Sequence, residues 1–400
     1  MSPWPELNIV QPNLINKPVG KVINFDEKLH SWDNEIENDR KIHSIIYNHK
    51  NKTLKILDQL KIPDETIFVD ILSTEDAYDV IKKMQVRGAP LIATVGTLAF
   101  GIELEKNLTM NYDDLIVFIE KQATFLKSSR PTAVNLRNAF LRIGEIVRVD
   151  QEEKEKNSQR LIIKIQDAAY KWFLDERAEN DLLIRNSVIC LEANVPSNEK
   201  LTVMTICNTG SLATSSHGTA LGVIRKLYLR NRLQLAFILE TRPYNQGSRL
   251  TAYECVKEGI PFKLITDSMA AAAMKTYKID AVLVGADQVA QNGDTANKIG
   301  TYMLAVLANF HKIPFYVVTP TESINPRIES GDSIKIEERP AHELVTFNGK
   351  ATAPEGTQVW NPAFDVTPGY LITGILTENG NIVPGQHSVG SLSSQSRIEN

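Results

Sequence analysis

Hydrophobic positions change rhythm near residue 200. Before that point apolar residues recur at helical spacing over 77–84, 91–104, 133–147 and from 159 to about 191, and two short strand-like runs precede them, at 44–47 and 54–57. Beyond it, short β-branched runs (LTVMTI, LAFIL, PFKLIT, AVLVGA, PFYVVTP) alternate with amphipathic segments (TALGVIRKLYLRN, SRLTAYECVKEG, SMAAAAMKTY, ANKIGTYMLAVLANFHK). Wholly apolar strands joined by helices through short connections predict a parallel sheet with both faces covered. The chain is therefore read as an α/β protein. A first domain runs over 41–150, a connecting helical segment over 151–200, and a parallel-sheet domain over 201–384. Residues 1–40, polar and of mixed charge, are expected to form an extension outside the core, and the Ser-rich 385–400 a polar tail.

Composition narrows the function classes. A formal net charge of −4 gives no reason to expect nucleic acid or an anionic membrane as partner. The three cysteines, Cys190, Cys207 and Cys255, are far apart and form no CxxC pair, so neither a disulfide framework nor a zinc site is expected. With no run long enough to span a bilayer and no signal-like opening, the reading is a cytoplasmic protein, with a nuclear location also open. Neither GxGxxG nor GxxxxGK[ST] occurs, so the usual nucleotide fingerprints are missing.

Chemistry is expected where strands end. Ligands of open parallel sheets bind at the carboxyl ends of the strands, and the runs that close there are followed by CNTG, ETRPYNQG and GAD. Cys207 ends its strand ahead of a loop; partial exposure and nearby backbone N–H groups would make it a thiolate base or nucleophile. Asp287 follows Gly285 and Ala286, and a carboxyl there is a general acid or base if its proton is held tightly. Inert packing and an ordinary turn aspartate are the plain alternatives. In the first domain Arg87 precedes Pro90 and Arg130 precedes Pro131, each proline suited to the first turn of the next helix. Such placement offers a phosphate a cation and a helix amino terminus together, and Gly88 would let a ligand approach closely. Lys298 is read as standing in the first turn of a helix capped by Asp294 or Thr295, where a lysine opposes the dipole and a functional role explains it better than stability. His217 is read as packing or a cap, and no metal site is expected.

With these residues in hand, the chain resembles the methylthioribose-1-phosphate isomerases of methionine salvage. The likeness extends over about 42–384 and rests on LDQLKIP, MQVRGAP, SSRPTAVNL, TICNTGSLAT, ETRPYNQGSRLTAYE, TDSMAAAAM, VGADQVAQNGDTANKIGTY and WNPAFDVTP. It implies that Cys207 and Asp287 are the catalytic pair, and that Arg87, Gly88, Arg130, Gln246, Asn297 and Lys298 bind the substrate. It further implies a helical first domain with a small antiparallel sheet, a Rossmann-like second domain, a homodimer and no cofactor. Three departures stand out: residues 1–40 match nothing in the family, Gln288 replaces the arginine that usually follows GAD, and His217 replaces a tyrosine before GTALG. Two relatives share the architecture. Regulatory subunits of the guanine-nucleotide exchange factor of translation initiation lack the cysteine–aspartate pair, whereas ribose-1,5-bisphosphate isomerases keep it. The RPTAVNL and NPAFDVTP blocks favour methylthioribose 1-phosphate.

The resemblance also explains the residue types. A sugar carrying phosphate on its anomeric carbon cannot open spontaneously to an aldehyde, so a proton donor at the ring oxygen is needed. Asp287, kept neutral by an apolar cleft, suits that task. Cys207 would handle the hydrogen at C2, by an enolate-type path or by steering a hydride shift.

Overall fold

A computed structural model describes residues 42–384, apart from Thr132, Asn194 and Asn348; the expected extension and tail lie outside the described residues. The first core combines a small sheet with helices. Strands β1 (Ile45–Asn48), β2 (Thr53–Leu57) and β3 (Phe68–Ile71) pair antiparallel in that order. They are followed by α1 (Thr74–Lys82), α2 (Ala89–Glu105), α3 (Tyr112–Ser129), α4 (Val134–Glu152) and α5 (Ser158–Glu192). Side-chain oxygens of Ser73, Asn111 and Asn157 cap α1, α3 and α5, satisfying donors that the first turn leaves free. Helix α2 is apolar on nearly all sides and nearly all buried, packed between α4 and α5, as an all-round hydrophobic helix must be.

Helix α5, roughly 50 Å long at 1.5 Å per residue, serves two cores. Its Leu161, Ile162, Ile165 and Ala169 pack in the first, and its Leu183, Ile184, Val188 and Leu191 pack against the large sheet.

That sheet follows. In chain order come β4 (Leu201–Thr205), α6 (Ala220–Leu229), β5 (Leu233–Leu239), α7 (Ala252–Glu258), β6 (Phe262–Ile265), α8 (Ala270–Thr276) and β7 (Ala281–Val284). Then come β8 (Gln288–Val289), β9 (Thr295–Lys298), α9 (Thr301–His311), β10 (Phe315–Val318), α10 (His342–Val345), β11 (Thr346–Phe347), β12 (Lys350–Ala351), β13 (Phe364–Thr367), β14 (Gly374–Thr377) and β15 (Gly380–Ile382). Seven strands align as β15-β14-β10-β7-β4-β5-β6, all parallel except β15, which folds back on β14. Alternate residues of β4 serve opposite faces: Val203 joins one core and Met204 the other. From β4 the chain moves outward through β5 and β6, then crosses back to β7 and continues through β10 and β14. The direction reverses between β4 and β7, and ligands of doubly wound sheets bind at that crevice.

Two local expectations are corrected. The stretch 296–312 is not one helix: Thr295–Lys298 is a strand paired with both β8 and β13, and α9 starts only at Thr301. Gly300, at φ +97°, turns the chain between them, and the Asp365 carboxylate accepts the N–H groups of Gly300 (2.7 Å) and Tyr302 (3.0 Å) to start the helix. Lys298 is therefore a strand residue, and its supposed conflict with a helix dipole does not arise. Pro131 likewise lies ahead of the first turn of α4, which starts at Val134, and Arg130 ends α3 rather than opening α4.

Candidate active site

Cys207 follows β4 and Asp287 follows β7, so the two strands flanking the reversal deliver the two groups singled out for chemistry. Both line one cavity of about 1330 Å³, its open mouth included. Arg87, Gly88, Arg130, Gln246, Asn297 and Lys298 line the same cavity. Arg87, Gly88 and Arg130 come from the first domain and Gln246, Asn297 and Lys298 from the second, so the cavity lies between the two.

Cys207 is buried, not partly exposed as the sequence suggested. Its backbone adopts φ +67°, a left-handed conformation uncommon outside glycine, held from both sides. The Cys207 N–H donates to Thr241 Oγ1 (2.8 Å), and its carbonyl accepts from Thr251 Oγ1 (2.6 Å). Next to it, Asn208 accepts a hydrogen bond from the Arg87 guanidinium and donates through Nδ2 to Glu254 Oε1 (2.7 Å). Glu254 is wholly buried and also accepts from the N–H of Ser211 (2.8 Å) and from Arg225 Nη2 (2.9 Å), while Arg225 pairs in turn with Glu258. A Cβ on Gly210 would stand 2.2 Å from the Glu254 carboxylate, so only glycine fits there. Gly88 is explained the same way. At φ +95° it lies so close to Ala213 that a Cβ would come within 2.3 Å of that carbonyl, and the close approach it permits is between the two domains.

Asp287 is held differently. Its N–H donates to the Ala296 carbonyl (3.0 Å), but among the described residues its carboxylate has no hydrogen-bonded partner. Burial pushes this carboxyl above the usual carboxylate range; Lys298, Arg130 and Arg87 pull it down, and the negative charge of Glu337 adds to the rise. Burial also lowers the Lys298 ammonium and the Arg87 guanidinium from their ordinary values, opposed in each by the charges of Cys207 and Asp287. Three cations, a carboxyl and a thiol thus feel one another across a single cavity.

The remaining anchors complete the wall. Arg130 Nη2 pairs with Glu337 Oε2 at 3.2 Å, and Arg339 holds the other Glu337 oxygen at 2.8 Å. The Lys298 ammonium lies 4.5 Å from the centre of the Phe364 ring, its cross-strand neighbour. Asn297 donates to Thr301 Oγ1 (3.0 Å), and buried Gln246 keeps a side-chain oxygen with no partner among the described residues. Sequence reasoning missed Asn208, Glu254, Glu337 and Arg339. For Glu254 a signal existed: Glu254 and Glu258 stand one helical turn apart on the face of α7 that also carries the buried Cys255, and two carboxylates on a buried face call for a buried cation such as Arg225.

Comparison with known proteins decides the affiliation. The initiation factor 2 subunit family matches residues 85–384. A protein of Caenorhabditis briggsae named methylthioribose-1-phosphate isomerase is 53% identical over 334 residues, covering 83% of this chain and 88% of its own. The chain belongs to the initiation factor 2 subunit family, on its methylthioribose-1-phosphate isomerase side. Within that family a crystal structure of 5-methylthioribose 1-phosphate isomerase from Pyrococcus horikoshii superposes with a TM-score of 0.79 at 36% identity, covering 89% of this chain and 96% of that one. Another structure of the family, titled translation initiation factor eIF-2B, subunit delta, from A. fulgidus, gives 0.72 at 35% identity, covering 86% and 97%. Of the departures from the family pattern, Gln288 lines the cavity on β8. His217 is buried, its carbonyl accepts from Arg225, and its ring stands 4.0 Å from Asp181 at the far side of the loop.

Proposed function

We propose that this protein converts 5-methylthioribose 1-phosphate into 5-methylthioribulose 1-phosphate, a step of methionine salvage. Asp287 is the proton donor to the ring oxygen, and Cys207 manages the hydrogen at C2. The observation that carries this reading is the meeting of Cys207 and Asp287 at the sheet's reversal point, in one cavity with Arg87, Arg130 and Lys298. Those cations and Gln246 hold the phosphate, and anchoring it fixes C1 and C2 against the two reacting groups.

The steps balance without an oxidant or a reductant. Asp287 gives its proton to the ring oxygen as the C1–O4 bond breaks, leaving C1 electron-deficient. On one route the C2 hydrogen moves to C1 with its electron pair, while the 2-hydroxyl returns its proton to Asp287. On the other, the Cys207 thiolate takes the C2 hydrogen as a proton and the resulting thiol delivers one to C1, again with the 2-hydroxyl proton returning to Asp287. A carboxyl whose proton burial holds more tightly than usual suits the first step.

The same proposal includes a homodimer in a cytoplasmic setting. Support for self-association comes from exposed apolar side chains on β6 (Leu264), on either side of α8 (Met269, Tyr277) and on α9 (Val306, Phe310). Among the described residues no helix is long and apolar enough to cross a membrane.

The test is turnover of purified protein with 5-methylthioribose 1-phosphate, following ketose formation without added metal or nucleotide. Turnover is expected. Robust turnover of ribose 1,5-bisphosphate alone would move the assignment to that isomerase, and inactivity on both would favour a binding role of the regulatory-subunit kind.

A further inference from the structure

Glu337 lies between Ile336 and Arg339, both of which line the cavity, in a stretch tied to the strand pair that carries Lys298. Its carbonyl accepts from Ala363 N–H (2.8 Å), Glu338 forms an antiparallel bridge with Pro362, and Arg339 N–H donates to the Asn361 carbonyl (2.8 Å). Ala363 directly precedes Phe364, which faces Lys298 across β13 and β9 and carries the ammonium over its ring. The Glu337 side chain points the other way in effect, taking Arg130 of the first domain on one oxygen and Arg339 on the other. One carboxylate thus links the cationic anchor of one domain to the strand pair bearing the anchor of the other.

We propose that Glu337 is a positioning residue for the isomerisation: gripping Arg130 with one oxygen and Arg339 with the other, it fixes Arg130 at the cavity and sets a carboxylate beside the cations that surround Asp287. The role rests on the isomerase reading above. Burial alone would push the Glu337 carboxyl up, but Arg130 and Arg339 beside it hold it below the usual range, so it stays ionised at neutral pH. Around Asp287 the charged groups are Lys298 on β9, Arg130 at the end of α3, Arg87 ahead of α2 and Glu337 paired with Arg130, with the Cys207 thiol in the same cavity. Glu337 is the one among them that favours the neutral acid. It carries an opposing cost, because a negative charge beside Arg130 competes with a bound phosphate. Affinity is traded for an acid whose proton is held more tightly.

The sign follows directly. The rate falls as pH rises through the Asp287 titration in the complex, since the donor must be protonated. Removing the Glu337 charge lowers that titration point and moves the alkaline limb of kcat to lower pH. E337Q, nearly isosteric, is expected to shift the limb down by at least about 0.3 unit and to bind inorganic phosphate at least about threefold more tightly. E337D keeps the charge but is one methylene shorter and cannot span both arginines. It is expected to raise KM at least about threefold with the limb in place. Glu337 variants that alter kcat and KM together with an unmoved limb, or an E337Q that binds phosphate no better than wild type, would overturn the proposal. If the wild type turns over no substrate, the isomerase reading fails by itself, and the phosphate titrations of the folded wild type and E337Q still decide the grip on Arg130.

Discussion

The loops after β4 and β7 meet at the same crevice, yet they hold their reactive side chains by opposite means. The CNTG loop is fixed by hydrogen bonds at nearly every step: Cys207 between Thr241 and Thr251, Asn208 between Arg87 and Glu254, Gly210 pressed on the Glu254 carboxylate. In the GAD loop the backbone is tied to Ala296, while the Asp287 carboxylate answers only to burial and to the charges around it. A group that must meet one carbon-bound hydrogen needs geometry, and a group that must keep and release a proton needs a tuned field. The loops also touch, since a Cβ on Gly285 would stand 2.9 Å from Thr209 of the CNTG loop.

Breaking the first loop at its base has the largest expected effect. E254A removes the buried carboxylate shared by Asn208, Ser211 and Arg225 and leaves a buried guanidinium short of a partner. The expected loss of stability is about 3–5 kcal/mol, read by chemical denaturation. A loss below about 1 kcal/mol would mean that the network does not hold the loop.

The anchors separate the two loops more finely. R87A and K298A each lose a charge-assisted contact and are expected to cost about 1.5–3 kcal/mol in kcat/KM. Only R87A also releases Asn208, so it alone should lower kcat strongly. Lys298 pulls the Asp287 titration down, so K298A should move the alkaline limb of kcat to higher pH. Identical pH profiles in K298A and wild type would show that Lys298 does not tune the acid. The smallest effect belongs to cysteines outside the crevice. Cys190 lies on α5 and Cys255 on α7, where burial pushes both thiols up, and C190S and C255S are expected to keep kcat within about twofold.

Much of this was legible in sequence, for physical reasons. Strands covered on both faces carry continuous apolar runs, so β4, β5, β7 and β10 stood out, and with them the strand ends at Cys207 and Asp287. Strands β8 and β9 mix polar residues such as Gln288, Thr295 and Asn297 into short runs and leave no apolar trace, which is how Lys298, which does line the cavity, was assigned to the wrong element. The clue was Gly300, whose left-handed backbone separates strand from helix. Gln246 and Asn297 rested on family resemblance alone, because a single amide in a loop has no periodicity. Glu337 escaped notice because its partner Arg130 lies 207 positions away, a pairing that only the tertiary structure reveals.

The most direct test of the account is a double-variant cycle on the pair at the reversal point. C207S and D287N are each expected to lower kcat at least about a hundredfold, with substrate still bound through the phosphate anchors. Because the two groups act in one reaction sequence, the double variant should be little slower than the more damaged single variant. Near-normal turnover in either single variant, or losses that multiply in the double, would contradict the claim that Cys207 and Asp287 work together on one substrate.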